Sequence, residues 1–96
     1  MIKHVVMLKF KKDANETGIG ELEKKLGALP GVIPEIKSYK FGRDIVRSER
    51  SYDFALVSVF KDTESLKIYQ VHPKHLEVLQ KVKELCDSVI VADFVF

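Results

Sequence analysis

Apolar positions along this chain switch between two periods, and the switches mark out its elements. Residues 2–11 are rich in Val, Met, Leu and Phe and predict a strand. Ile19, Leu22, Leu26 and Leu29 recur at helical spacing, which predicts a helix over residues 17–29. Its start is weak, because Gly18 and Gly20 are poor helix formers, and the turn Leu29-Pro30-Gly31 is expected to end it. Residues 36–43 predict a second strand and residues 52–61 a third; the polar stretch 43–51 between them is expected to be a mobile loop. Asp62 or Thr63 can cap a helix that runs to Val71, and a further helix is expected from Pro73 to about Cys86. Residues 88–96 predict the last strand.

The resulting order is βαββαβ, the ferredoxin-like pattern of a four-stranded antiparallel sheet with helices on one face. Such a sheet with one wet face alternates apolar and polar residues. This one does not. His4, Val6, Leu8 and Phe10 lie on one face of the first strand with Val5 and Met7 on the other, and Phe54, Leu56 and Phe60 are backed by Ala55, Val57 and Val59. Val89 to Phe96 is apolar on both faces. Helices cover only one side, and an exposed apolar sheet of this size is not expected on a soluble monomer. The simplest cover is the same sheet of a second copy, giving a homodimer.

Length and charge then narrow the class. The chain has 96 residues, which suits a single domain over 1–96. Sixteen basic residues against fourteen acidic ones, scattered along the chain, do not suggest nucleic-acid binding. No apolar run approaches the roughly 18 residues of a membrane span. Cys86 is the single cysteine, so no internal disulfide can form, and it is read as a small buried hydrophobe of a reducing, cytoplasmic protein.

The candidate chemistry gathers in Tyr69-Gln70-Val71-His72-Pro73-Lys74-His75, which holds two of the three histidines. A proline pushes its predecessor out of the helical region and itself fits a helix's first turn. His72 is therefore a junction residue, read foremost as a helix cap. His75 falls in the first turn of the new helix, where the helix dipole opposes a positive charge and favours a neutral ring. It shares a stripe with Leu79, Val82 and Cys86 that should face the core, a placement that also suits a histidine with a purely structural role. His4, His72 and His75 could offer three nitrogens to zinc, but they lack a motif spacing, so no metal is assigned. Gly18-Ile19-Gly20 follows no strand and does not fit a dinucleotide fingerprint, and no cofactor is assigned.

In sequence order, His4 to Phe10, Leu29-Pro30-Gly31-Val32-Ile33-Pro34, Gly42-Arg43-Asp44, Ser51 to Val57, Tyr69-x-x-His72-Pro73-x-His75 and Asp93-Phe94 together resemble the stress-responsive α/β-barrel domain family. The resemblance spans essentially the whole chain. It implies a dimeric α/β barrel: a homodimer whose two sheets form a central barrel with helices outside. Some plant members are polyketide cyclases, which close a poly-β-keto thioester by aldol condensation. By resemblance their site maps onto Tyr69, His75 and His4. One departure stands out: the cyclases carry a strand histidine where this chain has Phe54.

Elementary chemistry assigns the roles. An aldol condensation needs a base beside a carbonyl and a donor for the developing oxyanion. His75 is the candidate base, Tyr69 the donor and His4 the orienting group. Phe54, Leu56, His72 and Leu79 are candidate ligand contacts. His4 is alternatively a strand residue paired with Tyr69 or Asp93, and Asp93 an edge device in an apolar strand. Two functions follow: a dimer that binds a small apolar ligand, or a cofactor-independent cyclase or lyase acting on a carbonyl substrate.

Overall fold

A computed structural model describes the whole chain, Met1–Phe96. The elements run β1 (Ile2–Phe10), α1 (Glu16–Val32), β2 (Ile36–Arg43), β3 (Phe54–Phe60), α2 (Thr63–Val71), α3 (Pro73–Leu85) and β4 (Cys86–Val95). The four strands form one antiparallel sheet in the order β2-β3-β1-β4. This is the ferredoxin-like βαββαβ fold expected from the pattern, with the second helix broken in two at the His72–Pro73 junction.

The period-2 pattern decides which residues meet the helices. His4 pairs with Ser58 on one side and Asp93 on the other, and Leu8 with Phe54 and Val89, so all of these point to the helix side. The core joins Ile2, Leu8, Phe54, Leu56 and Phe60 of the sheet to Leu22, Leu26, Leu29 and Ile33 at the foot of α1, and to Leu66, Tyr69, Val78 and Leu85. Val5 and Val57, paired across β1 and β3, lie on the opposite face with Met7, Ile90 and Phe94, of which the last three are 39–49% exposed.

Four expectations need correction. The helix α1 does not stop at Leu29-Pro30-Gly31; it carries Pro30 inside its last turn and runs to Val32. That extra turn brings Ile33, fully buried, into line with Leu22, Leu26 and Leu29, and its N–H bonds the Leu29 carbonyl. Pro30 gives up one intrahelical hydrogen bond there, and the burial of Ile33 beyond it offsets that loss. β3 begins at Phe54 rather than residue 52; Asp53, just before it, donates its N–H to the Leu8 carbonyl and accepts the Phe10 N–H on its side chain at 2.8 Å. β4 begins at once after α3, where a register shift pairs Phe10 with Cys86. Finally, the buried stripe of α3 is His75, Val78 and Leu85, with Val82 packed against the core. Leu79 is 41% exposed and Cys86 only half-buried, because the stripe winds by 3.6 residues per turn and an open space lies beneath Leu79.

The 43–51 stretch is an irregular loop tied by several bonds. Asp44 accepts the Arg47 N–H at 2.6 Å, Arg47 reaches Asp53 at 2.9 Å, and the Ser48 and Ser51 hydroxyls pair at 2.8 Å.

Candidate functional site

Between helices and sheet a cavity of about 300 Å³ opens beside His75. This is near the lower end of the usual size for small-molecule sites, roughly 300–1,000 Å³. Its walls are mostly apolar: Val6 and Leu8 of β1, Leu26 of α1, Phe54 and Leu56 of β3, Val78, Leu79 and Val82 of α3, and Val89 and Val91 of β4. His4, Tyr69, Gln70 and His75 supply the polar part. The candidates His4, Tyr69, His75, Phe54, Leu56 and Leu79 are therefore brought together. His72 does not line the space.

The His-Pro junction explains the division of labour between its two histidines. His72 has extended backbone (φ −62°, ψ 134°), as the residue before a proline must, and its Nδ1 accepts the Lys74 N–H at 3.1 Å. It caps α3. Pro73 takes the first helical position, where its missing N–H costs nothing. The kink turns His75 inward, where it is buried against Tyr69 with ring centroids 4.2 Å apart.

The ring of His75 is oriented by its partner. Nδ1 lies 3.1 Å from the Gln70 carbonyl oxygen, which can only accept, so Nδ1 carries the proton and donates. In the neutral ring this leaves the lone pair on Nε2. Burial pushes the His75 pKa below its ordinary 6.5; the bond to Gln70 opposes this, and the nearby His4 and His72 reinforce it. Asp93 is not its partner. Asp93 accepts instead from Nδ1 of His4, 2.5 Å away and directly across the β1–β4 ladder. Neither Nε2 has a hydrogen bond within the chain, yet no buried side-chain polar atom lacks a partner. Both Nε2 atoms must then touch accessible space, and the space the two rings share is the cavity.

Tyr69 stands at the centre of the polar end. His4 faces it from β1 at 6.1 Å, Phe60 from β3 at 4.9 Å, Tyr39 from β2 at 6.1 Å and His75 from α3. Its hydroxyl meets that of Tyr39 at 2.8 Å. Burial pushes its pKa up to about 12, and the bond with Tyr39 pulls the other way. The phenol is fully protonated at neutral pH and can act as a donor.

Sequence reasoning missed several participants, among them Gln70, Val89, Val91 and Tyr39. Gln70 acts through its backbone, which leaves no trace in residue type. Val89 and Val91 were seen as apolar but not as cavity walls. Tyr39 had a readable signal: Tyr39 and Phe41 alternate with Lys40 and Gly42, which puts both rings on the core side of β2.

Fold and site together define a ferredoxin-like protein whose interlayer encloses an apolar pocket with two histidines and a tyrosine at one end. The chain belongs to the Stress Responsive A/B Barrel Domain family, whose model matches residues 2–96. It is 30% identical to the stress-response A/B barrel domain-containing protein HS1 of Arabidopsis thaliana, over 97% of this chain and 87% of that one. It is 25% identical to olivetolic acid cyclase of Cannabis sativa, over 97% and 94% respectively. A dimeric ferredoxin-like protein from Thermobifida fusca superposes with a TM-score of 0.91 at 26% identity, covering 99% of this chain and 90% of that one. No helix of the chain is long and apolar enough to cross a membrane.

Proposed function

We infer that the cavity binds a small, largely apolar molecule carrying a carbonyl oxygen, and that His75 and Tyr69 act on it as base and donor without a cofactor. The observation that carries this reading is the fixed tautomer of His75. Its basic Nε2 is exposed to an open apolar space beside a protonated phenol. A histidine serving only as packing would have no reason to leave that lone pair unpaired. In the reaction, Nε2 of His75 takes a proton from the carbon next to the carbonyl, and the developing enolate oxygen is met by the Tyr69 O–H. If a second carbonyl lies within the same molecule, the enolate carbon attacks it. One C–C bond forms, and the new alkoxide takes back the proton held on His75. His4, held by Asp93, presents its own Nε2 for orienting the substrate. The similarity to a cyclase supports this class of chemistry. Phe54 makes the pocket less polar than a histidine at that position would, which favours substrates with an apolar body.

Binding is tested with acetophenone against ethylbenzene, which share a ring and differ in the carbonyl. Methyl NMR signals of Val78 and Leu79 should shift with acetophenone; no shift at millimolar concentration would end the binding reading. Catalysis is tested separately through exchange of the acetophenone methyl hydrogens in D₂O. The protein should accelerate that exchange, and His75→Ala should not. Binding without accelerated exchange would leave a ligand-binding protein and remove the base.

We assign the far face of the sheet, with Val5, Met7, Val57 and Phe94, to a second copy of the chain. The support is its apolar character and the dimeric state of the similar Thermobifida protein. Sedimentation equilibrium at micromolar concentration should give a dimer; a folded monomer would refute it.

A further inference from the structure

Tyr39 stands outside the cavity, yet its hydroxyl has one partner only, that of Tyr69. The two phenols carry two hydroxyl protons and share one bond. One proton lies between the oxygens and the other must point elsewhere. If Tyr69 donated to Tyr39, the spare proton would sit on Tyr39, away from the cavity, and Tyr69 would show a bound ligand only its lone pairs. If Tyr39 donates to Tyr69, the spare proton is that of Tyr69, which does line the cavity.

We propose that Tyr39 is a positioning residue: it donates its hydroxyl proton to Tyr69 and thereby directs the Tyr69 O–H into the cavity, making the site selective for ligands with an acceptor oxygen. This rests on the reading that Tyr69 meets the ligand oxygen. A phenol that accepts one hydrogen bond is also a better donor of the next, because chains of hydroxyls polarise one another. The other neighbours of Tyr69 are two histidines and a phenylalanine, so Tyr39 is the one hydroxyl that orders it. The bond draws the Tyr69 pKa down against its burial, and it adds to the burial that raises Tyr39. The rest of Tyr39 is ordinary packing, edge-on to Phe41 at 6.2 Å, which Tyr39→Phe preserves.

Two measurements on Tyr39→Phe test the proposal. In protein labelled with 3-fluorotyrosine, which titrates at lower pH than tyrosine, the Tyr69 fluorine signal is assigned with Tyr69→Phe and its ionisation is followed. Loss of a donor should move the Tyr69 pKa up. A downward move would mean that Tyr69 is the donor, and no move that the bond is not formed; either result overturns the proposal. The second measurement is the affinity ratio for acetophenone over ethylbenzene. In Tyr39→Phe it should fall by roughly threefold to tenfold, the value of one ordinary hydrogen bond, with ethylbenzene binding unchanged. A preserved ratio overturns the positioning role. Tyr69→Phe separates the two readings: if it leaves the ratio intact, the ligand oxygen does not sit on Tyr69 and the proposed function fails there, while the fluorine titration still decides the direction of the Tyr39–Tyr69 bond.

Discussion

The two sides of the helix–sheet interlayer are built from similar residues and finished differently. Toward β2 and β3, Leu22, Leu29, Ile33 and Phe60 are at most 2% exposed. Toward β4, Val89 and Val91 point to the same side of the same sheet and are 45% and 54% exposed. The helices cover the strands on one side and fall short of the edge strand on the other. The cavity lies at that boundary, with His4, Tyr69 and His75 where packed and open regions meet. Polar rings are tolerated there because each has a fixed partner and a wet side. A fully packed site would have forced every nitrogen to pair, leaving none to face the cavity.

The contrast can be broken first at its packed side. Phe60→Ala removes a fully buried ring that contacts Tyr69 and should cost about 3–5 kcal/mol, read from urea unfolding. At the open side, Leu79→Ala deletes a side chain 41% exposed at the cavity, and should cost well under the roughly 2–5 kcal/mol of a core Leu→Ala change. Equal costs at the two positions would erase the distinction. A smaller effect sharpens it through pH. The folded His75 has a pKa below 6.5, so the unfolded chain binds protons first as pH falls. The stability His75 contributes is therefore complete above about 6.5 and is lost as pH drops through its folded value. The urea midpoint should decline over that window in the wild type, and His75→Gln should flatten the decline. A midpoint that rises on acidification there would contradict the burial argument.

The sheet was legible because β1 and β3 are short runs rich in Val, Leu, Met and Phe bounded by polar segments, although neither alternates apolar with polar. The His72 cap was legible because proline restricts its predecessor regardless of context. The end of α1 was not, since the burial of Ile33 that draws Pro30 into the helix is a tertiary gain. The cavity was not legible either. An opening is a deficit of packing, and Leu79 reads the same whether it fills a core or borders a void. His75 on an apolar stripe suited both a core histidine and a base; the proposal of a base rests on the Gln70 carbonyl and the open space beside the ring, neither of which residue type reveals.

The state of the His75 ring is the most direct test of this account. Long-range nitrogen–proton NMR on ¹⁵N-histidine protein reports both the tautomer and the titration of each ring. At pH 7.5 His75 is expected to be neutral with its proton on Nδ1 and its lone pair on Nε2, and to titrate below 6.5. A ring protonated on Nε2, or one that titrates above 6.5, would contradict it and withdraw His75 as the base.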